Sequence, residues 1–227
     1  MTTRKRVIKR RQLLVGVIAS AADLRFALAL RQLPDLFELR LDCLGDVLNQ
    51  LERKISIFRA PIIITARDPR EGGANNLSLE ERSQLLSRFL SHAKYLDVEL
   101  RSTRLLQPLL AQARKRNVSV ILSFHDFKST PSKRSLRAKA ARAKRYSADI
   151  LKVATRTDKP LELARLIDFI MDKNVDLPVS AMGIGKLGGI SRLLLARCGS
   201  VLNYGSLQQS QVEGQLWIDV LRSALPR

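Results

Sequence analysis

Cysteine, histidine and aromatic residues are scarce in this chain. Its 227 residues include two cysteines, two histidines and a 5% share of aromatics. The cysteines, Cys43 and Cys198, stand far apart and form no redox or metal-ligand pair, so neither a disulfide framework nor a thiolate metal site is expected. Both read as packing residues of a reducing compartment. No apolar run approaches the roughly 20 residues of a membrane span. No signal-type apolar stretch and cleavage site separate the basic start from the rest, so the expected location is the cytoplasm. Acidic residues are also in short supply: Asp+Glu 21 against Lys+Arg 40 gives a formal charge of +19. Such a balance attracts anions without specifying one. Two clusters contribute, Arg4 to Arg11 and Lys133 to Arg145. In the second, Leu136, Ala140 and Ala143 recur at helical spacing and form an inward stripe, leaving the bases on solvated faces. Stacking aromatics are nearly absent there, so nucleic acid is not the expected partner.

Aliphatic residues are abundant, and 45% of the chain is hydrophobic. Short apolar runs alternate with helical stretches. The strand candidates are LLVGVIAS from Leu13, LFELRLD from Leu36, PIIITAR from Pro61 and YLDVEL from Tyr95, then SVILSFHD from Ser119, ADILKVAT from Ala148, LPVSAMG from Leu177 and VLNYGS from Val201. Helix-like stretches follow, such as AADLRFALALRQ from Ala21 and VEGQLWIDVLRSAL from Val212. Repeated βα units without a long linker predict a single-domain (β/α)8 TIM barrel over residues 12–227, preceded by a basic extension, 1–11.

Several strands carry charges. Glu38, Arg40 and Asp42 alternate with Phe37, Leu39 and Leu41, which points three charged groups into the barrel. Arg67 shares a face with Thr65, His125 with Ser123, and Lys152 interrupts ILKVA. Unpaired buried charges are costly, so these groups must pair or reach the wet mouth of the barrel. Functional groups of barrels gather at the C-terminal strand ends, where these residues lie. A lysine desolvated beside other cations can act as a neutral amine and form an imine with a ketone. Histidine suits removal of the proton that the imine acidifies, and His125 is the one histidine at a strand end. Glu38 is placed to orient it, and Arg40, Arg67 and Arg192 offer bidentate donors for a carboxylate or hydroxyls. The same residues would suit a class I aldolase-like barrel on another hydroxy ketone. A third reading is a non-catalytic basic barrel that binds nucleic acid, with the charges as an internal ion-pair network.

Glu38-Leu39-Arg40-Leu41-Asp42, Thr65-Ala66-Arg67 through Glu71-Gly72-Gly73, Ser123-Phe124-His125-Asp126-Phe127 with Thr130-Pro131, and Ala148 through Ala154 resemble the type I 3-dehydroquinate dehydratase family. The likeness continues through Ala181-Met182-Gly183, Ser191-Arg192 and Gly199-Ser200 to Gly214-Gln215, in order along the chain. That resemblance implies a (β/α)8 barrel, usually a homodimer, which converts 3-dehydroquinate to 3-dehydroshikimate and water with no metal or organic cofactor. It implies that Lys152 forms the imine and that His125 moves the protons. Glu38 would place His125 and touch substrate, Arg40 and Arg67 would line the polyol side, and Arg192 would hold the carboxylate. Met182 would pack beside the ring and Gln215 would close over it.

The closing loop departs from the family's Ser-Ala-Pro-Gly-Gln. Here it reads Gln211-Val212-Glu213-Gly214-Gln215, so Gln211 stands in for the substrate-binding serine and Glu213 brings an anion near an anionic substrate. Gly183-Ile184-Gly185-Lys186-Leu187-Gly188 matches the dinucleotide fingerprint G-x-G-x-x-G, but no Asp or Glu occurs between Asp176 and Glu213 to take a ribose. The stretch reads as a turn that helps to set Arg192.

Overall fold

The fold is seen in a computed structural model that describes residues 11–225, so the expected basic extension lies outside the described residues apart from Arg11. The strands are β1 (Leu13–Ile18), β2 (Leu36–Arg40), β3 (Ile62–Thr65), β4 (Tyr95–Glu99), β5 (Ser119–Asp126), β6 (Ile150–Arg156), β7 (Val179–Ile184) and β8 (Leu202–Ser206). Each falls on an expected run. Between them stand α1 (Ala21–Ala29), α2 (Leu48–Lys54), α3 (Leu79–Phe89), α4 (Gln107–Lys115), α5 (Lys133–Arg145), α6 (Pro160–Ile170), α7 (Gly188–Arg197) and α8 (Ile218–Ala224).

All strand pairs are parallel, in the order β7-β6-β5-β4-β3-β2-β1-β8. The seam between β7 and β8 is closed without a regular ladder. Val201 N donates to Val179 O at 3.0 Å, Ser180 Oγ donates to Leu202 O at 2.7 Å, and Ala181 N donates to Ser200 Oγ at 3.1 Å. Hydroxyls thus satisfy backbone groups that a burial without partners would penalise.

Two apolar cores follow from the alternation of strand side chains. One lies between barrel and helices and holds Leu39, Ile64, Leu122 and Leu151 with helix residues such as Leu86 and Leu136. The other fills the lumen, with Val15, Leu36, Ile63, Ile121 and Leu202. This lower plug leaves the C-terminal strand ends as the open end. Helix α5 buries Leu136, Ala140 and Ala143, as the spacing predicts. Its bases meet acids of the next unit: Lys133 pairs with Asp168, Arg137 with Asp172 and Lys144 with Asp176.

Two expected helices are shorter than their patterns: α1 stops at Ala29, where Leu30 turns extended, and α8 starts late. Residues 212–217 do not continue α8, because Gly214 adopts φ 80° and the helix begins only after Trp217. The 212–217 stretch is instead part of a loop folded over the open end.

Candidate active site

A cavity of about 270 Å³ opens at the C-terminal strand ends, a volume suited to a small molecule. Every residue expected in the site lines it: Glu38, Arg40, Arg67, His125, Lys152, Met182, Arg192, Gln211 and Gln215. Asp42, the third charge expected inside, does not. Strand β2 ends at Arg40, so Asp42 lies beyond the pleat and turns to hold the arginine. Arg40 donates from Nε and Nη2 to the two oxygens of Asp42 at 3.0 and 2.7 Å, and from Nη2 to Gly72 O at 3.2 Å.

Lys152 is 4% exposed. Its Nζ donates to Glu38 Oε1 at 2.8 Å and Asp97 Oδ2 at 3.0 Å, and lies 3.9 Å from the centroid of the Tyr204 ring. The charges touching this lysine are therefore carboxylates rather than the cations expected from the sequence. The cations stand one step further out: Arg67 donates to Asp97 from both Nη1 and Nη2, to Glu99 from Nη1 at 3.0 Å and to Ser123 Oγ at 2.5 Å. Burial disfavours the Asp97 charge, yet Arg67 and Lys152 outweigh it and hold the carboxyl well below its ordinary range. Much of Arg67's donor capacity is thus spent on the protein, which leaves Arg40 as the freer arginine on that side.

His125 lies two residues beyond Ser123, the register partner of Lys152, so the imidazole sits about 7 Å farther up the adjacent strand. Glu38 does not orient it. That role falls to Glu71, whose Oε2 accepts the His125 backbone N–H at 2.9 Å and meets Nδ1 at 3.1 Å. The reason is geometric: Nδ1 turns toward the loop after β3, while Glu38 is engaged by Lys152 and by Thr65 Oγ1 at 2.9 Å. Burial, with Arg67 and Lys152 nearby, pushes the His125 pKa well below its usual value and so favours a neutral ring. Burial also pushes Glu71 up to about 7.

The loop that carries Glu71 is fixed from below. Asp68 caps a 3-10 turn, Pro69–Glu71, and accepts the Arg70 N–H at 2.9 Å. Buried Arg82 on α3 donates to Asp68 at 3.1 Å and to Glu99 at 2.8 Å. The chain then passes so close to itself that a Cβ on Gly73 would lie 2.1 Å from Arg67 O, which admits only glycine.

Arg192 is 5% exposed and donates to the carbonyls of Tyr204 at 3.1 Å and Gly214 at 3.2 Å. Among the described residues it has no carboxylate partner, and burial lowers its pKa to about 10. A desolvated guanidinium bonded only to carbonyls is complementary to an anion. Met182 contributes an apolar wall within the lumen core.

In the loop after β8, Gln211 lines the mouth, but its Nε2 donates to Gln209 O at 3.3 Å. Its backbone N–H goes to Gln215 Oε1 at 2.6 Å, leaving the Gln215 amide nitrogen available to the cavity. Glu213 points outward, to Arg156. The G-x-G-x-x-G stretch forms the turn expected of it: Gly188 opens α7, which carries Arg192, and Ser191 Oγ accepts the Gly183 N–H at 2.9 Å.

Sequence reasoning assigned no role to Glu71, Asp97, Glu99, Tyr204 or Arg156. The signal for Asp97 and Glu99 was present, since Tyr95, Asp97 and Glu99 alternate in YLDVEL as the charges do in β2. Cys43, expected as packing, stands half-buried in the cavity wall, and burial pushes its thiol up to about 11.

The chain matches the family model described as type I 3-dehydroquinase over residues 17–226. It is 34% identical over 206 residues to a 3-dehydroquinate dehydratase of Shouchella clausii, an alignment covering 85% of this chain and 80% of that one. Against the 3-dehydroquinate dehydratase of Aromatoleum aromaticum, identity is 32% over 227 residues, covering 93% of this chain and 86% of the relative. The crystal structure of 3-dehydroquinate dehydratase from Geobacillus kaustophilus superposes with a TM-score of 0.85 at 28% identity, covering 95% of this chain and 90% of that one. Barrel, cavity and sequence agree, and the chain belongs to the type I 3-dehydroquinase family.

Proposed function

We propose that the protein is a hydro-lyase that converts 3-dehydroquinate to 3-dehydroshikimate and water through an imine at Lys152. The observation that carries this reading is one cavity holding a buried lysine, a histidine on the adjacent strand bonded to Glu71, and an arginine without a carboxylate partner among the described residues. The proton that Nζ carries in its ion pair must leave before the nitrogen attacks, and Glu38 at 2.8 Å is within reach to receive it. Nζ adds to the ketone carbon, and loss of water gives the protonated imine. His125 Nε2 then takes the proton from the adjacent carbon. The electron pair left behind expels the β-hydroxyl, and the imidazolium protonates it as water. Hydrolysis of the imine releases the enone and the free amine. Family membership supports the same sequence of steps.

Arg192 holds the substrate carboxylate, Arg40 and Arg67 bind hydroxyls, Met182 packs beside the ring, and Gln215 closes over it. Gln211 shapes the mouth and braces Gln215 through its backbone N–H. The working unit is a catalytic barrel over 12–227 with a basic extension, 1–11, placed in the cytoplasm and assembled as a homodimer. Among the described residues no helix is long and apolar enough to cross a membrane. Exposed Ile190 and Leu194 on α7, with Trp217 just before the neighbouring α8 and Val220 on it, support the dimer. The bases of α5 serve the fold rather than nucleic acid, since three of them pair with acids. Ultraviolet absorbance tests the reaction: enone formation from 3-dehydroquinate with the folded protein, lost in Lys152→Ala, is expected. A folded wild-type protein that gives no enone overturns the reading.

A further inference from the structure

The loop over the site is held at one point by side chains of both charges. Arg156, the last residue of β6, meets Glu213 with Nη1 to Oε2 at 3.1 Å. The same arginine donates from Nε to Asp158 Oδ2 at 2.6 Å, and Asp158 Oδ1 accepts the backbone N–H of Lys186 at 2.8 Å. Arg156 is thereby fixed on one edge of its guanidinium before the other reaches the loop. The backbone completes the seat. Gly185 N donates to Glu213 O at 2.9 Å, and Arg192 Nε donates to Gly214 O at 3.2 Å. A Cβ on Gly214 would lie 2.6 Å from Gly188 Cα, so two glycines let the loop lie directly on the start of α7.

We propose that Arg156 and Glu213 form an ionic latch that positions the closing loop, and that Arg156 is a positioning residue for substrate binding. The latch acts at a distance from the chemistry, because neither Arg156 nor Glu213 lines the cavity, whereas Gln211, Val212 and Gln215 of the same loop do. It converts Glu213 from an anion that would repel an anionic substrate into an anchor neutralised on the outer side. It also joins two strands' contributions: β6 carries both Lys152 and Arg156, so the strand that supplies the imine nitrogen also supplies the loop's fastening point. The pair is partly exposed, with side-chain exposures of 31% for Arg156 and 55% for Glu213, so its effect is modest and screened by salt.

The effect on KM rests on the dehydratase reading, whereas the effect on loop motion does not. The test compares wild type, Arg156→Gln, Glu213→Gln and the double variant by steady-state kinetics with 3-dehydroquinate and by hydrogen exchange of residues 208–217. Each single variant is expected to raise KM by about two- to fivefold, with a smaller change in kcat, and to speed exchange in the loop. The double variant should add little to either, and Arg156→Lys should recover part of the loss. If Glu213→Gln instead lowers KM while exchange is unchanged, the glutamate only repels substrate and the latch is wrong. Additive effects of the two singles would equally overturn it. If the wild type turns over no 3-dehydroquinate but both singles still free the loop, the latch stands and the substrate assignment falls.

Discussion

Glu71 and His125 set the protonation state on which the chemistry depends. An ionised Glu71 accepts Nδ1–H and leaves Nε2 as a free base. A protonated Glu71 would donate to Nδ1, moving the ring hydrogen to Nε2 and removing the base. Because burial raises Glu71 to about 7, kcat/KM should climb with pH through an acid limb near 7. In Glu71→Gln that limb should disappear, with a kcat lowered by roughly tenfold or more. A pH–rate profile of both proteins checks this, and an unchanged limb in the variant would assign it to another group. At Arg192 the expected loss is in binding. Arg192→Leu removes a charge-assisted bond to a carboxylate, worth about 1.5–3 kcal/mol, so KM should rise by roughly 10- to 150-fold. A KM within twofold of wild type would place the substrate carboxylate elsewhere.

Among the elements, β4 joins the buried ion pairs, and the alternation of Asp97 and Glu99 in its sequence carries the signal for it. Its Asp97 binds Arg67 and Lys152 together, and its Glu99 binds Arg67 and Arg82. Removing Asp97 takes one of two carboxylates from both buried Arg67 and buried Lys152, leaving them Glu99 and Glu38 alone, so Asp97→Ala should destabilise by about 3–5 kcal/mol. For a domain of this size that corresponds to a Tm lower by roughly 6–20 °C, measurable by calorimetry. A shift below a few degrees would mean that Glu99 and Glu38 suffice for Arg67 and Lys152. The barrel itself was legible because short, largely apolar runs recur between helical stretches, and periodicity reports that alternation directly. Lys152 was legible because a charged group in an apolar run stands out, and His125 because it is the one histidine at a strand end. Glu71 was not, because a loop has no period and its position is set by Asp68, which is itself held by Arg82 of another element. The stretch 212–217 misled for a related reason. Its apolar spacing suits a helix, but contact between Gly214 and Gly188 decides its path, and periodicity carries no information about that contact.

The whole molecule joins a rigid apolar plug to a charged upper lumen, so the reacting groups are held by a scaffold that is not itself required to move. The excess of positive charge lies outside that lumen, where charges of both signs interleave. Light scattering should give twice the 25.5 kDa of one chain. Ile190→Lys should shift the mass to one chain, and an unaltered dimer in that variant would move the interface off α7 and α8. The central claim is the lysine imine, and reductive trapping tests it most directly. The protein is incubated with 3-dehydroquinate, treated with borohydride, digested and examined by mass spectrometry. A substrate-sized adduct on the peptide containing Lys152, absent from Lys152→Ala, is the predicted result; turnover without any trapped adduct at Lys152 would contradict it.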